Sequence, residues 1–558
     1  MKMVFEKEII EELSRYVNVD ENQLEIPPNA DMGDFALPCF SFAKEFQKLP
    51  QEIASDLASK IKQSEIIENV QAEGPYLNIF INKSRFASTV LKQVHREGKS
   101  YGSSQEGEGH EALIEHTSIN PNASPHLGRT RNSLIGDSLA RLYRFQGFRT
   151  EVHYYVNDIG KQIAMLVYAC RDKEDVSFKD ILNIYIEVNR KLKENPDLEK
   201  EIFNILHKLE NGDSDIKEKF RQIVNICLEG QKSLFSELGI EFDYFDYESK
   251  YLWKNTTQDI LEKLEKTGKV FTDEHGRKVL DLSGYELPMK QPVMVLTRED
   301  GTSLYGLRDI AYTIDKLERS LENNIVLLGE DHKLYFKQLS AALELLGFKA
   351  PDVVHYSFVL LKEGKMSTRN GTLVLLEDVM QKSVEKAKEK IDTTGKTEDQ
   401  VNELAKIIGY GAVKFTILKT SSDKNVIFDW DKALNFEGDT APYIQYTHAR
   451  IKSIIEKSKN KVTDRISYDK FNAKEIALIK HLSRFPEIVN ASRKQHKPHL
   501  LANFLQELAQ EFNEFYHKYP VLCDDTELKK SRLFLVKNVS VILNAGLGLL
   551  GITAPDKM

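Results

Sequence analysis

Thr117-Ser-Ile-Asn-Pro-Asn-Ala-Ser-Pro-His-Leu-Gly-Arg-Thr-Arg-Asn-Ser-Leu-Ile-Gly-Asp137 is the stretch on which the fold of this chain turns. The apolar run Ala112-Leu113-Ile114 ahead of it reads as a strand. Pro121 and Pro125 forbid a regular helix before His126, because proline has no amide hydrogen and restricts the residue before it. After Gly128, Leu134, Ile135, Leu139 and Leu142 recur at three- and four-residue spacing, the period of a helix with one buried face. His126 and Gly128 therefore fall at or near a helix N-terminus. Unpaired N–H groups and a partial positive charge there suit phosphate. Gly128 leaves room for a ligand against the backbone, and His126 can donate a hydrogen bond to a phosphate oxygen. A loop histidine alone is usually structural, so the stretch needs a partner.

The partner is Gly364-Lys-Met-Ser-Thr-Arg-Asn-Gly371, a Gly-flanked loop in which Lys365, Ser367 and Arg369 form a cation clamp. In this order, and in a chain this long, the two stretches resemble the two signatures of class I aminoacyl-tRNA synthetases. There a His-x-Gly-His element and a Lys-Met-Ser-Lys loop hold ATP between them. The closest resemblance is to the arginyl-tRNA synthetase family, and it runs over nearly the whole chain.

The chain has 558 residues, enough for three or four domains. A hydrophobic fraction of 41% and a charged fraction of 29% describe a soluble globular protein. No run approaches the ~18 apolar residues that a membrane span needs, so no membrane partner is expected. The N-terminus is acidic and amphipathic, unlike a transit or signal peptide, which makes the cytoplasm the expected compartment. The four cysteines form no Cys-x-x-Cys pair, so neither a metal site nor a disulfide framework is indicated. A net charge of -8 argues against coating nucleic acid through bulk charge. An RNA bound through local basic patches and shape stays open.

Taken with the resemblance, the pattern predicts an α/β protein in three parts. They are a class I Rossmann-type catalytic domain with a parallel sheet, a small α/β N-terminal appended domain and an all-α C-terminal anticodon-binding domain. Residues 1–105 form the appended domain, with an opening helix at Ile9, Ile10, Leu13 and Tyr16 and a strand at Leu77, Ile79 and Ile81. Met32-Gly-Asp-Phe-Ala-Leu-Pro38 resembles that domain, which in the family touches the corner of the tRNA. Gly98 to Gly109 is polar and Gly/Ser-rich, a linker. Residues 111–375 form the catalytic domain, with a charged, mostly helical insertion at about 171–290. A strand is expected within Leu238–Asp246. Arg149–Val156 is a second strand, Asn157-Asp-Ile-Gly-Lys-Gln162 opens a helix, and the second half returns at Pro292–Leu296. Val353–Leu361 is one strand that delivers Lys365. Residues 376–435 connect to the helical anticodon-binding domain at 436–558. The stripe Phe512, Phe515, Tyr516 and Tyr519 reads as core, and Ser492–His499 as the best basic RNA-facing candidate or a solvated loop.

The resemblance implies a two-step reaction. The carboxylate of arginine attacks the α-phosphorus of ATP, and the ribose hydroxyl of the tRNA's terminal adenosine then attacks the adenylate. Such chemistry is positioning and charge stabilisation, so the expected catalytic residues are His126, Arg129, Lys365 and Ser367. ATP would be held by His126, Gly128, Arg129, Lys365, Met366 and Ser367, with Mg²⁺ travelling on ATP and no tightly bound metal. Tyr305 and Asp309, four apart, share a helix face if the helix already runs there; the matching family positions bind the guanidinium. The resemblance carries Ser118 and Asn120 to the substrate's backbone ends, with Glu115 five residues before Asn120 and His332 in the arginine site. Helix N-caps are the plainer alternatives for Asp309 and Asp158. The expected partners are the tRNA for arginine, L-arginine and ATP, and a monomer is expected.

Two departures from the family stand out. Arg129 occupies the place of the second signature histidine and is expected to turn toward phosphate. Thr368 occupies the place of the last loop lysine, and Ala123 the place from which some family members replace it. Arg129, Arg131 or Arg369 is left to supply that charge. Asp331-His332 stand where the family has a glutamine. A catalytically impaired synthetase paralogue acting as a tRNA-binding or regulatory protein is the alternative reading. A cysteinyl-type synthetase lacks support without zinc ligands, and a small nucleotidylyltransferase without the helical C-terminal third.

Overall fold

In the computed structural model, the residues described are all except 1, 21, 22, 28–31, 174, 254, 255, 320, 321, 362, 363, 366–373 and 460, with no side chains for 2–4, 361, 364 and 365. After an opening helix, Lys2–Leu13, three strands build the N-terminal unit: β1 (Phe35–Pro38), β2 (Ile67–Glu73) and β3 (Tyr76–Ile81). β3 lies between the other two, antiparallel to both. Leu77, Ile79 and Ile81 face the core, as their alternation predicts. The Gly/Ser-rich linker after this unit is wedged in place. Tyr101 is fully buried, Ser104 Oγ donates to Gln146 at 2.9 Å, and Glu106 receives Arg493 at 2.8 Å.

The strands that follow are β4 (Glu111–Glu115), β5 (Arg149–Val156), β6 (Tyr244–Tyr247), β7 (Val270–Thr272), β8 (Lys278–Asp281), β9 (Val293–Val295), β10 (Asn323–Gly329), β11 (Asp352–Tyr356), β12 (Val359–Leu361), β13 (Gly364–Lys365) and β14 (Val426–Phe428). Five of them form a parallel sheet in the order β11-β10-β4-β5-β6. The chain starts at β4, winds outward to β6, then crosses back to lay down β10 and β11 on the other side. That reversal leaves a crevice between β4 and β10 at the carboxyl ends of the strands, where ligands bind in open α/β sheets.

The structure corrects three sequence expectations. The helical insertion is the trio Phe178–Glu194, Leu198–Glu210 and Ser214–Glu237, while β6, inside the range assigned to the insertion, is the edge of the main sheet. Pro292–Leu296 does not rejoin the parallel sheet. Only Met294 of β9 is buried, and a strand with one buried face belongs in an antiparallel pair, here with β8. Val353–Leu361 is not one strand: it breaks after Tyr356, and β12 enters a separate sheet between β13 and β14. The break follows from the peptide of Ser357, whose N–H donates to Ser422 O at 2.8 Å and whose carbonyl accepts from Arg131 at 2.7 Å.

Beyond Leu376 the chain is helical apart from β14, ending in Ala441–Ser458, Ala473–Ser483, Phe485–Lys494, Pro498–Lys518 and Thr526–Leu549. Phe512 and Phe515 are buried, with Tyr516 and Tyr519 packed against them, so the aromatic stripe is core. One helix among the described residues, Thr526–Leu549, is long and apolar enough to cross a membrane by length and composition, contrary to the sequence expectation; 78% of its apolar window is buried inside the fold. In the basic stretch Ser492–His499, Lys494 and Lys497 are exposed, but the other basic side chains turn inward. Arg493 is buried against Glu106 and the Phe148 ring, and His496 meets the Tyr143 hydroxyl at 3.0 Å, so the stretch is a joint between units. One hydrophobic core runs from Phe5 through Leu134 to Ile552 and fastens all three parts together.

Candidate active site

Where β4 ends, Thr117 and Ser118 have φ of 72° and 41°, left-handed values that side-chain-bearing residues avoid unless their surroundings hold them. Here they are held. Thr117 N donates to Asn132 Oδ1 at 2.7 Å, and Tyr155 N donates to Ser118 Oγ at 3.1 Å. The other end of the Asn132 amide donates to Leu327 O of β10 at 2.9 Å, so one side chain pins both sides of the crevice. Asn132 lies on helix Leu127–Phe145, which approaches closely because Gly136 has no Cβ: one there would lie 2.3 Å from His116 Cγ. A cavity of about 700 Å³ opens at this point. Glu115, Ser118, Asn120, His126, Gly128, Arg129, Tyr305, Asp309 and His332 all line it, although they come from three distant stretches of chain. A cavity of about 890 Å³ at the junction with the C-terminal helices holds none of them.

One end of the cavity is built on helix Tyr305–Leu317, which starts at Tyr305, so Tyr305 and Asp309 do share a face. The N-cap is Leu304, which removes the capping alternative for Asp309. Tyr305 sits at the rim, with its ring 5.4 Å from that of Tyr335. Tyr155 donates its hydroxyl to Asp309 Oδ1 at 3.3 Å, and Tyr335 donates to Oδ2. Two other carboxylates nearby are already neutralised: Glu115 by Lys316, and Glu248 by Arg308 at 2.6 Å. Among the described residues no basic side chain forms an ion pair with Asp309. Burial, and then the charge of Glu248, push its carboxyl up to about 7. A carboxylate framed by tyrosines and left without a counterion is a receptor for a planar cation, which can fork across both oxygens.

The other end is built on the N-terminus of helix Leu127–Phe145. His126 is its N-cap, and the Nδ1 of the ring accepts from Arg129 N at 3.3 Å. Burial, and then the charge of Arg129, push the imidazole down to about 4, so it is neutral at pH 7. With Nδ1 accepting, the single ring proton sits on Nε2, which is thereby a donor. Arg129 is exposed at the cavity wall, without an ion-pair partner among the described residues. Arg131, two residues on, is fully buried and donates to three backbone carbonyls, so it does not supply charge to the cavity. Phe358 and Val359 line the cavity where β12 starts, and Leu360 pairs with Lys365 of β13. On the far side of the loop, Leu127 N donates to Val374 O at 3.1 Å and Leu376 N to Pro125 O at 2.8 Å. The described residues on both sides of the second signature stretch therefore lie beside the first. The expected roles of the Lys365 side chain, Met366, Ser367, Thr368 and Arg369 lie outside the described residues.

Asn157 lines the cavity, but Asp158 turns away and accepts from Ser249 N at 2.8 Å, with burial pushing it up to about 6. It is not an N-cap; Gly160 takes that place. Gln162 accepts from the amides of Asn120 at 3.0 Å and Asn122 at 2.9 Å and holds the loop from behind. His332 is half exposed at the cavity edge. Sequence reasoning missed Lys316, Glu248, Tyr155, Tyr335 and Asn132. Lys316 was within reach of it, seven residues and two helical turns from Asp309 on the same face.

Residues 90–430 match the family of tRNA synthetases class I (R), catalytic domain, residues 444–558 the DALR anticodon binding domain, and residues 3–81 the arginyl tRNA synthetase N terminal domain. A sheet open at its reversal point, with a helix N-terminus and a hairpin facing each other across it, is thus that of a class I aminoacyl-tRNA synthetase. Relatives narrow this. The arginine–tRNA ligase of Methanocaldococcus jannaschii is 39% identical, over 100% of this chain and 98% of its own. That of Halothermothrix orenii is 37% identical, over 99% and 100%. The solved arginyl-tRNA synthetase of Thermus thermophilus superposes with a TM-score of 0.82 at 28% identity, covering 100% of both chains. The chain belongs to the arginyl-tRNA synthetase family.

Proposed function

We propose that the protein is an arginine–tRNA ligase. It joins L-arginine to ATP as arginyl-adenylate with release of pyrophosphate, then transfers arginine to the 3′-terminal adenosine of its tRNA. The observation that carries this reading is the unpaired carboxylate of Asp309, in the same cavity as the His126 helix N-terminus. The guanidinium lies on Asp309 and Tyr305, flanked by the hydroxyls of Tyr155 and Tyr335. Ser118, Asn120 and His332 hold the other end of the amino acid, and Glu115, paired with Lys316, closes the wall. His126 Nε2 donates to the α-phosphate as charge builds on it, Gly128 lets the nucleotide approach the backbone, and Arg129 supplies a permanent charge. Lys365 acts on the pyrophosphate side, with Ser367 and Arg369 supporting the loop and Met366 beside the nucleotide. Mg²⁺ enters as part of the MgATP substrate, a role that asks few protein ligands. The reading includes a monomer in the cytoplasm, and four free cysteines agree with that compartment.

An impaired, purely tRNA-binding paralogue has less support, because the amino-acid end of the cavity keeps its charge and its tyrosines. Pyrophosphate exchange by the purified chain, run with each amino acid in turn and with and without tRNA, tests the proposal. Exchange and tRNA charging with arginine alone are expected. Charging with another amino acid, or with none, overturns it.

A further inference from the structure

Arg131 is fully buried, yet among the described residues no carboxylate pairs with it. Its Nη1 donates to Ser357 O and Lys424 O, and its Nη2 to Ser421 O, each at 2.7 Å, while its Nε is buried without a partner. Burying a guanidinium costs stability that three carbonyls offset only in part, and apolar residues of similar volume often serve a core as well. What the planar fork provides is geometry, since it fixes several acceptors at once.

The acceptors show what is being fixed. Ser357 is the residue at which the chain leaves β11 of the main sheet for β12. Ser421 and Lys424 lie in the loop that leads into β14. β12 pairs with β14 on one side, Val359 against Val426, and with β13 on the other, Leu360 against Lys365. Ser357 Oγ adds a bond to Glu330 at 2.8 Å, at the end of β10. Arg131 itself is five residues beyond His126 on the same helix. It therefore holds the base of the Lys365 strand pair at a set distance from the histidine across the cavity.

We propose that Arg131 is a positioning residue for the ATP step, clamping the strands that carry Lys365 to the helix headed by His126. This rests on the synthetase reading above and adds a residue to it. Pushed down to about 10 by burial, the guanidinium stays charged at pH 7.

The test compares Arg131→Lys and Arg131→Met with the unaltered protein in three measurements: L-arginine binding by calorimetry, pyrophosphate exchange, and Tm. The arginine Kd is expected to stay within about twofold, because Asp309 hangs on a different helix. The kcat for exchange is expected to fall about 100-fold, the effect of an ångström-scale misplacement remote from the chemistry. Arg131→Lys should fall nearly as far, since a point charge cannot span three carbonyls. The proposal is overturned if a folded variant keeps its kcat, if arginine binding and kcat fall together with Tm, or if neither variant folds. Lack of arginine-dependent exchange in the unaltered protein would instead overturn the synthetase reading, which separates the two failures.

Discussion

The two ends of the central cavity are built on opposite principles. At the Asp309 end the side chains are already bonded to one another, each extra carboxylate has its own cation, and one negative charge is left for a guest. At the His126 end the ring is held neutral with Nε2 as a donor, and Arg129 stands without an ion-pair partner among the described residues. One end selects by leaving a buried partner unsatisfied unless the right side chain arrives. The other stabilises charge that develops during reaction and has nothing to select.

The largest effect should separate the ends most sharply. Replacing Asp309 with Asn removes the counterion for a buried cation, which costs about 3–5 kcal/mol. Measured by pyrophosphate exchange, kcat/KM for arginine is expected to drop on the order of a thousandfold, with KM for ATP nearly unchanged. Next, His126→Ala takes one preorganised donor from the phosphate end. Its kcat should fall on the order of a hundredfold, while arginine affinity, read by calorimetry, should hold.

Proton linkage gives a third contrast. Asp309 in the empty cavity titrates at about 7, and a bound guanidinium must lower that value. Arginine affinity should therefore be full above about pH 7 and weaken roughly tenfold per unit as pH falls below it. The His126 end, neutral down to about pH 4, contributes no such slope near neutrality. Arg129→Ala should raise KM for ATP about tenfold, the size of one charge-assisted hydrogen bond, and leave the arginine pH profile where it was. The smallest change is expected of Tyr335→Phe. The Tyr335 hydroxyl lowers the Asp309 pKa, so its loss should shift the break in the arginine profile to higher pH and raise KM for arginine only a few-fold.

Much of this was legible in the chain because it rests on local physics. Pro121, Pro125 and the Leu134-to-Leu142 spacing place a helix N-terminus at His126 whatever surrounds it. The alternation of Leu77, Ile79 and Ile81, and the stripe at Phe512 and Phe515, likewise state their own burial. What escaped depends on which neighbour covers which face. Arg129 and Arg131 are two residues apart, about 200° around a helix, so one faces the cavity and the other the core. Nothing local says which, because the answer lies with Ser357 and Ser421. The break after Tyr356 has the same origin, as does the burial of Arg493 by Glu106. Lys316 shows a middle case, since its spacing from Asp309 on one helix was visible but its partner, Glu115, came from a strand far away in sequence.

The central claim is that the guanidinium of arginine lies on Asp309. A crystal structure of the protein soaked with L-arginine tests it most directly. The account predicts both guanidinium edge nitrogens within hydrogen-bonding distance of the Asp309 carboxylate, with the amino-acid end near Ser118 and Asn120. Arginine bound the other way round, or on Glu115 with Lys316 displaced, would contradict it.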